Sequence, residues 1–180
     1  MIENMVGYLN NKKELYEEVA LQMQGLFEDC PHLTANLANA SALLNQAMRD
    51  INWVGFYLME EFDGDWSAEG KSGGKKEQLV LGPFQGKPAC VEIKIGKGVC
   101  GTAVAKDEIM LVKNVHEFPG HIACDGASNS EIVLPIHVSG SVIGVLDIDS
   151  PLLARFDEED RDGLEKIVQV IEKMYQAVWG

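Results

Sequence analysis

Two apolar segments near the end of the chain constrain the fold most, because only two residues separate them: EIVLPIHV (131–138) and SVIGVLDID (141–149). Each is rich in β-branched residues and has the length of one strand. Ser139 and Gly140, which lie between them, predict a tight hairpin. A hairpin makes its two strands antiparallel neighbours, so we expect a mainly antiparallel sheet.

Segments with helical periodicity lie on both sides of the predicted strands. Apolar residues recur at helical spacing in three ranges: 9–29, 34–48 and about 157–178. In the first of these, Leu15, Val19, Met23 and Leu26 are expected to face the core. Further strands are predicted at 51–59, 79–83, 90–95 and 109–112, with a short helix at 98–106. This order predicts an α+β fold in which helices pack on one face of a mainly antiparallel six-stranded sheet.

Residues 60–78, EEFDGDWSAEGKSGGKKEQ, are charged and glycine-rich, unlike their surroundings. They predict a long loop inserted into a hairpin, in which Trp66 is expected to pack locally. Outside this loop the composition is that of an ordinary globular protein, which excludes global disorder. A length of 180 residues suits one domain, predicted to span residues 1–180.

The charge of the chain limits its partners. It has 28 acidic and 15 basic residues, and the net charge of −13 repels a phosphate backbone, so nucleic acid is not an expected partner. No apolar run approaches the roughly 20 residues of a bilayer span, and the first residues lack a signal-peptide pattern. These features predict a cytoplasmic protein with no membrane partner.

Cytoplasmic thiols stay reduced, so the four cysteines are expected to be catalytic, metal-binding or buried rather than structural bridges.

Three of these cysteines lie in short stretches of small residues and glycines: Cys90 in GKPAC, Cys100 in GKGVCGT and Cys124 in GHIACDG. This pattern suggests redox chemistry, although any one of them could be a small buried apolar residue. Cys100 is placed near the start of a short helix, where the helix dipole should favour the thiolate. Histidines near Cys124 could lower its pKa or relay protons.

A zinc site is the competing interpretation of the same residues. Cys90, Cys100, Cys124 and His121 could supply four ligands, but structural zinc sites use cysteine pairs two to four residues apart, and this chain has none. We therefore expect no metal.

Three carboxylates form a second group of candidate site residues. Asp147 and Asp149 are two residues apart, so on a strand they share one face, and Glu131 opens the partner strand. They could line an exposed strand face, or they could form a cup for an ammonium group or another polar ligand. A crowded and desolvated carboxylate can also stay protonated and act as an acid near neutral pH.

Aromatic residues of the first predicted strand offer a pocket wall. Alternation places Trp53 and Tyr57 on the face opposite Phe56. All three could be core residues, or one of the aromatic rings could form a pocket wall against a thioether or methyl group.

The motifs together resemble those of a known family. NWVGFYL, LVLGPFQGKPAC, GKGVCGTA, FPGHIACD, SEIVLPI, GVLDIDSP and RFDEED occur in this order between residues 52 and 160, and they resemble the free methionine-(R)-sulfoxide reductases, which are stand-alone GAF-domain enzymes. The resemblance implies that Cys124 is the nucleophile, Cys100 the main resolving thiol and Cys90 a third thiol that can form a disulfide. It implies that Glu131, Asp147 and Asp149 hold the substrate, with Trp53 and Tyr57 as pocket walls. Cys30 matches no family cysteine and is expected to be non-catalytic.

The resemblance also implies a reaction and partners. Free L-methionine-(R)-sulfoxide would be reduced to L-methionine through a cysteine sulfenic acid and an intramolecular disulfide. A thioredoxin-like dithiol would regenerate the thiols without any cofactor, and a homodimer is expected. Two alternatives remain at this point: a GAF-type sensor that binds a small ligand and carries redox-active cysteines, and a zinc-stabilised interaction protein.

Overall fold

Six strands form one sheet, whose two faces are covered by different elements. The computed structural model describes residues 11–62, 76–120 and 126–179. The elements are α1 (Lys12–Phe27), α2 (Leu33–Ala47), β1 (Trp53–Phe62), β2 (Lys76–Gly86), β3 (Glu92–Lys94), α3 (Gly98–Lys106), β4 (Met110–Val112), a 3-10 turn (Val115–Glu117), β5 (Ser130–Val138), β6 (Ser141–Ser150) and α4 (Glu158–Trp179). Within these residues no helix combines the length and apolar character needed to span a lipid bilayer.

The strand order is β3-β2-β1-β6-β5-β4, and every neighbouring pair is antiparallel. Ser139 and Gly140 close the β5–β6 hairpin with φ of 52° and 80°. Positive φ at both central residues is the geometry that matches the twist of a two-residue hairpin. The predicted hairpin and the antiparallel six-stranded sheet are confirmed.

Alternation along the strands separates two apolar layers. On β1, Val54 and Phe56 belong to the layer that packs against α1, α2 and α4. Trp53 and Tyr57 belong to the opposite layer, which includes residues of α3. The prediction that helices pack on one face is confirmed for the three long helices, α1, α2 and α4. The short α3 differs, because it lies on the other face, over the layer that carries Trp53 and Tyr57.

The buried face of α1 differs from the predicted one at its ends. Val19 and Met23 are buried as expected, but Leu26 is 37% exposed, and Tyr16 and Phe27 are buried instead. Tyr16 is turned inward because its hydroxyl donates a hydrogen bond to the buried Asp160 of α4, at 2.7 Å. The contact with α4 thus rotates the helix relative to a face read from leucine spacing alone.

Both ends of the range predicted as a loop, 60–78, belong to strands. Glu60, Glu61 and Phe62 pair with Gln78, Glu77 and Lys76, so both ends of this range are strand rather than loop. Residues 63–75, including Trp66, lie outside the described residues. The single-domain assignment for 1–180 stays a prediction.

Candidate functional site

The strand register brings the predicted carboxylates together on the face opposite α1, α2 and α4. Glu131 of β5 pairs with Asp149 of β6, and Asp149 pairs in turn with Trp53 of β1. Asp147 is two residues from Asp149 and therefore lies on the same face. Glu131 and Asp147 are each 6% exposed, whereas Asp149 is half-buried. The grouping predicted from sequence is present, and the carboxylates do not form an exposed strand face.

Cys100, in the first turn of α3, lies over these carboxylates. Its Sγ is 4.0 Å from Glu131 Oε1, and its side chain also contacts the carboxylate of Asp147. The approach of α3 to β3 depends on Gly101, where a Cβ would overlap the carbonyl oxygen of Lys94. The glycine after Cys100 therefore lets the helix come close enough to bury the thiol among the acids.

Burial and mutual repulsion control the protonation of the two buried carboxylates. Burial, followed by the charges of Asp147 and Asp149, raises the pKa of Glu131 well above its usual range. Burial raises the pKa of Asp147 to about 6, although hydrogen bonds with Cys100 and Glu131 act in the opposite direction. Burial thus favours the protonated form of both carboxyls, and each keeps its proton to a higher pH than an exposed acid does.

The expectation that helix position favours a Cys100 thiolate is wrong. Cys100 is at the start of a helix as predicted, but it is 3% exposed. Burial, and then the charges of Asp147 and Glu131, raise the pKa of the thiol well above its ordinary value. The dipole of a nine-residue helix does not offset desolvation next to two acids.

Trp53 and Tyr57 anchor the segment that carries Cys90. Trp53 stacks between Tyr57 and Phe84, with ring centroids 5.9 Å and 5.3 Å apart. Its Nε1 donates to the carbonyl of Lys87 at 3.1 Å, and the Tyr57 hydroxyl donates to the carbonyl of Cys90 at 3.0 Å. These two bonds fix the connection between β2 and β3 against the sheet.

Sequence reasoning missed Phe84 and Gly55 as parts of this aromatic stack. A Cβ at Gly55 would overlap Phe84 and approach the Trp53 ring, so the strand must be bare at this position. The signal was present in the sequence, because a glycine inside a strand often marks a close approach.

The described cysteines differ in their state. Cys90 is half-buried and disulfide-bonded, whereas Cys30 and Cys100 are free thiols. Cys30 is half-buried in the connection between α1 and α2. Cys124, which is the predicted nucleophile, and its neighbours His121 and Asp125 lie outside the described residues.

Within the described residues, Cys100, Glu131 and Asp147 are the one group with the ligand types and spacing to hold a metal ion, since their ligand atoms lie within 4.8 Å of one another. The zinc set considered from sequence conflicts with the state of Cys90, which is disulfide-bonded; its members Cys124 and His121 lie outside the described residues.

One oxygen of this group is left without a partner. Asp147 Oδ1 is buried and accepts no hydrogen bond from the described part of the chain. A buried carboxylate oxygen without a partner costs free energy, so the arrangement suits a ligand that brings a cation or a hydrogen-bond donor. The site therefore combines a thiol, a carboxyl group of raised pKa and an acceptor for a positively charged group.

Comparison with known proteins gives the family of the chain. Residues 33–173 match the family described as GAF domain, which is the class of protein that the fold defines. The chain is 49% identical to the free methionine-R-sulfoxide reductase of Escherichia coli, over 91% of this chain and 90% of that protein. It is 42% identical to the enzyme of the same name from Saccharomyces cerevisiae, over 91% and 87%. The X-ray structure of free methionine-R-sulfoxide reductase from Neisseria meningitidis in complex with its substrate aligns with a TM-score of 0.81 at 42% identity, over 94% and 93%. The chain belongs to the free methionine-R-sulfoxide reductase family.

Proposed function

We propose that this protein reduces free L-methionine-(R)-sulfoxide to L-methionine and that Glu131, Asp147 and Asp149 bind the substrate. The observation that carries the proposal is the buried pair Glu131 and Asp147 beside Cys100, in which one Asp147 oxygen has no partner in the described residues. Reductases of this name at 42–49% identity support the reaction and its stereochemistry. The same relatives favour an enzyme over a ligand-binding sensor.

In the first step, Cys124 takes the oxygen atom of the substrate. Its thiolate attacks the sulfoxide sulfur, the S–O bond breaks as the oxygen passes to the cysteine, and methionine leaves while Cys124 becomes a sulfenic acid. The departing oxygen needs a proton at the transition state. Glu131 is suited to supply it, because burial among acids raises its pKa and so favours the protonated carboxylic acid.

In the second step, another thiol attacks the sulfenic acid and expels water, which leaves a disulfide. Family resemblance assigns this role mainly to Cys100. Two features favour Cys90 instead: Cys90 is disulfide-bonded here, and burial beside two carboxylates raises the pKa of Cys100 and so disfavours its thiolate. We therefore propose a Cys90–Cys124 disulfide as the first product, with Cys100 as a later participant.

The acidic cup also explains a preference for the free amino acid. An α-ammonium group would neutralise the buried carboxylates, whereas a peptide-bound residue carries no such cation. A buried charge that is left unpaired costs several kcal/mol, enough for orders of magnitude in discrimination. N-acetylmethionine sulfoxide is accordingly expected to be a poor substrate.

Thiol counting after a single turnover tests the proposal. Reduced protein is mixed with each epimer of free L-methionine sulfoxide, and free thiols and released methionine are measured. The R epimer should consume two thiols per methionine formed, and the S epimer none. Cys124→Ser should abolish methionine release, whereas Cys30→Ser, the matched control, should behave as wild type.

The same assay separates the two resolving thiols. Cys90→Ser should accumulate a sulfenic acid that a dimedone probe labels, whereas Cys100→Ser should still form a disulfide. Unchanged thiol counts with the R epimer would refute the proposed reaction. Disulfide formation in Cys90→Ser at the wild-type rate would refute the assignment of Cys90.

The remaining parts of the proposal concern the surroundings of the enzyme. A thioredoxin-like dithiol reduces the disulfide, the protein is a homodimer formed of one GAF domain per chain, and it works in the cytoplasm, where such reductants are maintained.

A further inference from the structure

Strand β3 lies at the edge of the sheet and has exposed apolar side chains at both of its ends. Val91 precedes it and is 65% exposed, and Ile95 follows it and is 38% exposed. β3 pairs with β2 on one side, and no other strand of the described sheet lies beyond it. Single exposed apolar residues are common on protein surfaces, but these two flank an open strand edge, and Val91 directly follows the disulfide-bonded Cys90.

The charge of this region is opposite to that of the whole protein. Lys87, Lys94 and Lys97 are exposed around Val91 and Ile95, with Glu92 as the one acidic residue between positions 87 and 97. The chain as a whole carries a net charge of −13. We call the surface formed by Lys87, Val91, Lys94, Ile95 and Lys97 the β3 edge surface. It combines two exposed apolar side chains with three lysines and the acidic Glu92, so it carries a positive balance on an otherwise acidic molecule, which suits an acidic protein partner.

This surface is held in place from beneath. The hydrogen bonds from Trp53 to the Lys87 carbonyl and from Tyr57 to the Cys90 carbonyl tie its first half to the sheet. The Leu81 N–H donates to the Val91 carbonyl at 2.9 Å. A fixed backbone lowers the entropic cost of binding another protein.

We propose that the β3 edge surface is the docking site for the protein dithiol that reduces the disulfide at Cys90. The partner is a dithiol protein with an acidic surface and apolar residues around its reactive cysteine. The proposal rests on the proposed function, because that reaction produces one disulfide per turnover and needs a reductant to remove it.

The chemistry of the docked complex follows from the position of Cys90. One thiolate of the partner attacks the Cys90 sulfur, the bond from Cys90 to Cys124 breaks, and Cys124 leaves as a thiolate that takes up a proton. The second thiolate of the partner then attacks the mixed disulfide and releases Cys90, which is protonated in turn. Two electrons and two protons reach this protein, and the partner becomes a disulfide.

Turnover with two reductants tests the proposal. A thioredoxin with its reductase and NADPH is compared with dithiothreitol, at saturating L-methionine-(R)-sulfoxide and with the full-length protein. Val91→Glu removes the apolar contact and adds a negative charge, while the backbone bond to Leu81 is kept. Leu21→Glu is the matched control, because Leu21 is 63% exposed on α1, away from the sheet edge.

We expect Val91→Glu to lower kcat/KM for thioredoxin by about tenfold, as for the loss of one central contact, and to leave turnover with dithiothreitol unchanged. Leu21→Glu should match wild type with both reductants. Lys94→Glu, which leaves Val91 in place, should also lower kcat/KM for thioredoxin while turnover with dithiothreitol stays unchanged.

The possible results separate two failures. If wild type turns over with dithiothreitol but Val91→Glu and Lys94→Glu keep the wild-type kcat/KM for thioredoxin, the docking site is wrong and the proposed function stands. If Val91→Glu slows both reductants equally, or changes the oligomeric state, the surface serves stability or a second copy of this chain, and the proposal is again overturned. If wild type does not turn over with dithiothreitol, the proposed function fails and the docking site fails with it.

Discussion

Asp147 has the clearest conflict between stability and function among the described residues. It is buried, one of its oxygens has no partner in the described residues, and its pKa is raised to about 6. A carboxylate held in such a place is expected when the missing partner belongs to a ligand. The folded protein therefore carries a cost that a ligand with a cation or hydrogen-bond donor at this oxygen would remove.

This conflict predicts a pH-dependent gain of stability in Asp147→Asn. The folded protein binds the Asp147 proton more tightly than the unfolded chain does, so its stability falls as pH rises above the ordinary pKa of aspartate and levels off above about 6. Asn avoids this loss, and we expect the free energy of unfolding at pH 8 to rise by on the order of 1–3 kcal/mol. At pH 4 the two proteins should differ little.

Urea unfolding at pH 4 and pH 8 measures the effect, and the same variant should lose reductase activity. Asp162→Asn is the control, because it neutralises an exposed carboxylate in a surface ion pair with Arg161, which should matter little at either pH. An equal change for Asp147→Asn at both pH values would show that packing, and not ionisation, is responsible.

At the level of single residues, sequence predicted that the three carboxylates meet and that burial can keep one of them protonated, but it did not predict the protonation state of Cys100. The positions of Asp147, Asp149 and Glu131 follow from strand alternation and one hairpin, which are local features. The pKa of Cys100 depends on how closely α3 approaches β5 and β6, and no local pattern reports that distance. For this reason the prediction of a Cys100 thiolate is wrong, although Cys100 lies at the start of the helix as predicted.

Neighbouring elements approach each other most closely at glycines, where there is no Cβ to prevent contact. Gly163 of α4 faces α1, and a Cβ there would overlap the ring of Tyr16. The absence of this one carbon lets α1 and α4 approach closely enough for the Tyr16 hydroxyl to reach Asp160, which also contacts Lys12 at 2.6 Å. Gly101 does the same for α3 and β3.

A pair of glycine substitutions tests this account. Gly25 of α1 has nothing within 4 Å of an added Cβ, so Gly25→Ala should stabilise the protein by about 0.5–1 kcal/mol through helix propensity. Gly163→Ala gains the same propensity but must displace Tyr16, and we expect a net loss of about 1–3 kcal/mol. Thermal or urea unfolding of both variants gives the comparison. A stabilising Gly163→Ala would mean that α1 and α4 can separate without cost.

Element order was well predicted from sequence because it depends on periodicity. α3 was placed at its observed bounds, and the hairpin at 131–149 was found from its turn residues. The expectation that all helices pack on one face does not hold for α3, which lies on the other face, because periodicity reports the apolar side of a helix and not the side of the sheet that it meets. The apolar face of α1 was displaced for a similar reason, because its partner on α4 is 144 residues away.

At the scale of the whole molecule, charge opposes folding. An excess of 13 negative charges on 180 residues repels itself more in the compact state than in the expanded chain. Ion pairs such as Lys12 with Asp157 and Asp160 offset part of this locally.

Screening this repulsion should stabilise the protein. We expect Tm at pH 7.5 to rise by a few degrees between about 10 mM and 300 mM NaCl, because the Debye length falls from roughly 30 Å to below 10 Å. Calorimetry in NaCl and in KCl checks the result and controls for ion-specific effects. A fall in Tm over this range would show that the ion pairs contribute more than the net repulsion does.

The division of the sheet into two layers has an evolutionary consequence. Successive residues of β1 and β6 alternate between a side that packs against the three long helices and a side that carries the aromatic and acidic residues of the candidate site. Substitutions confined to every second position would change the candidate site while the core against the long helices keeps its residues. An insertion of a single residue within either strand would exchange the two sides, driving acids into hydrocarbon, and would destroy scaffold and chemistry together.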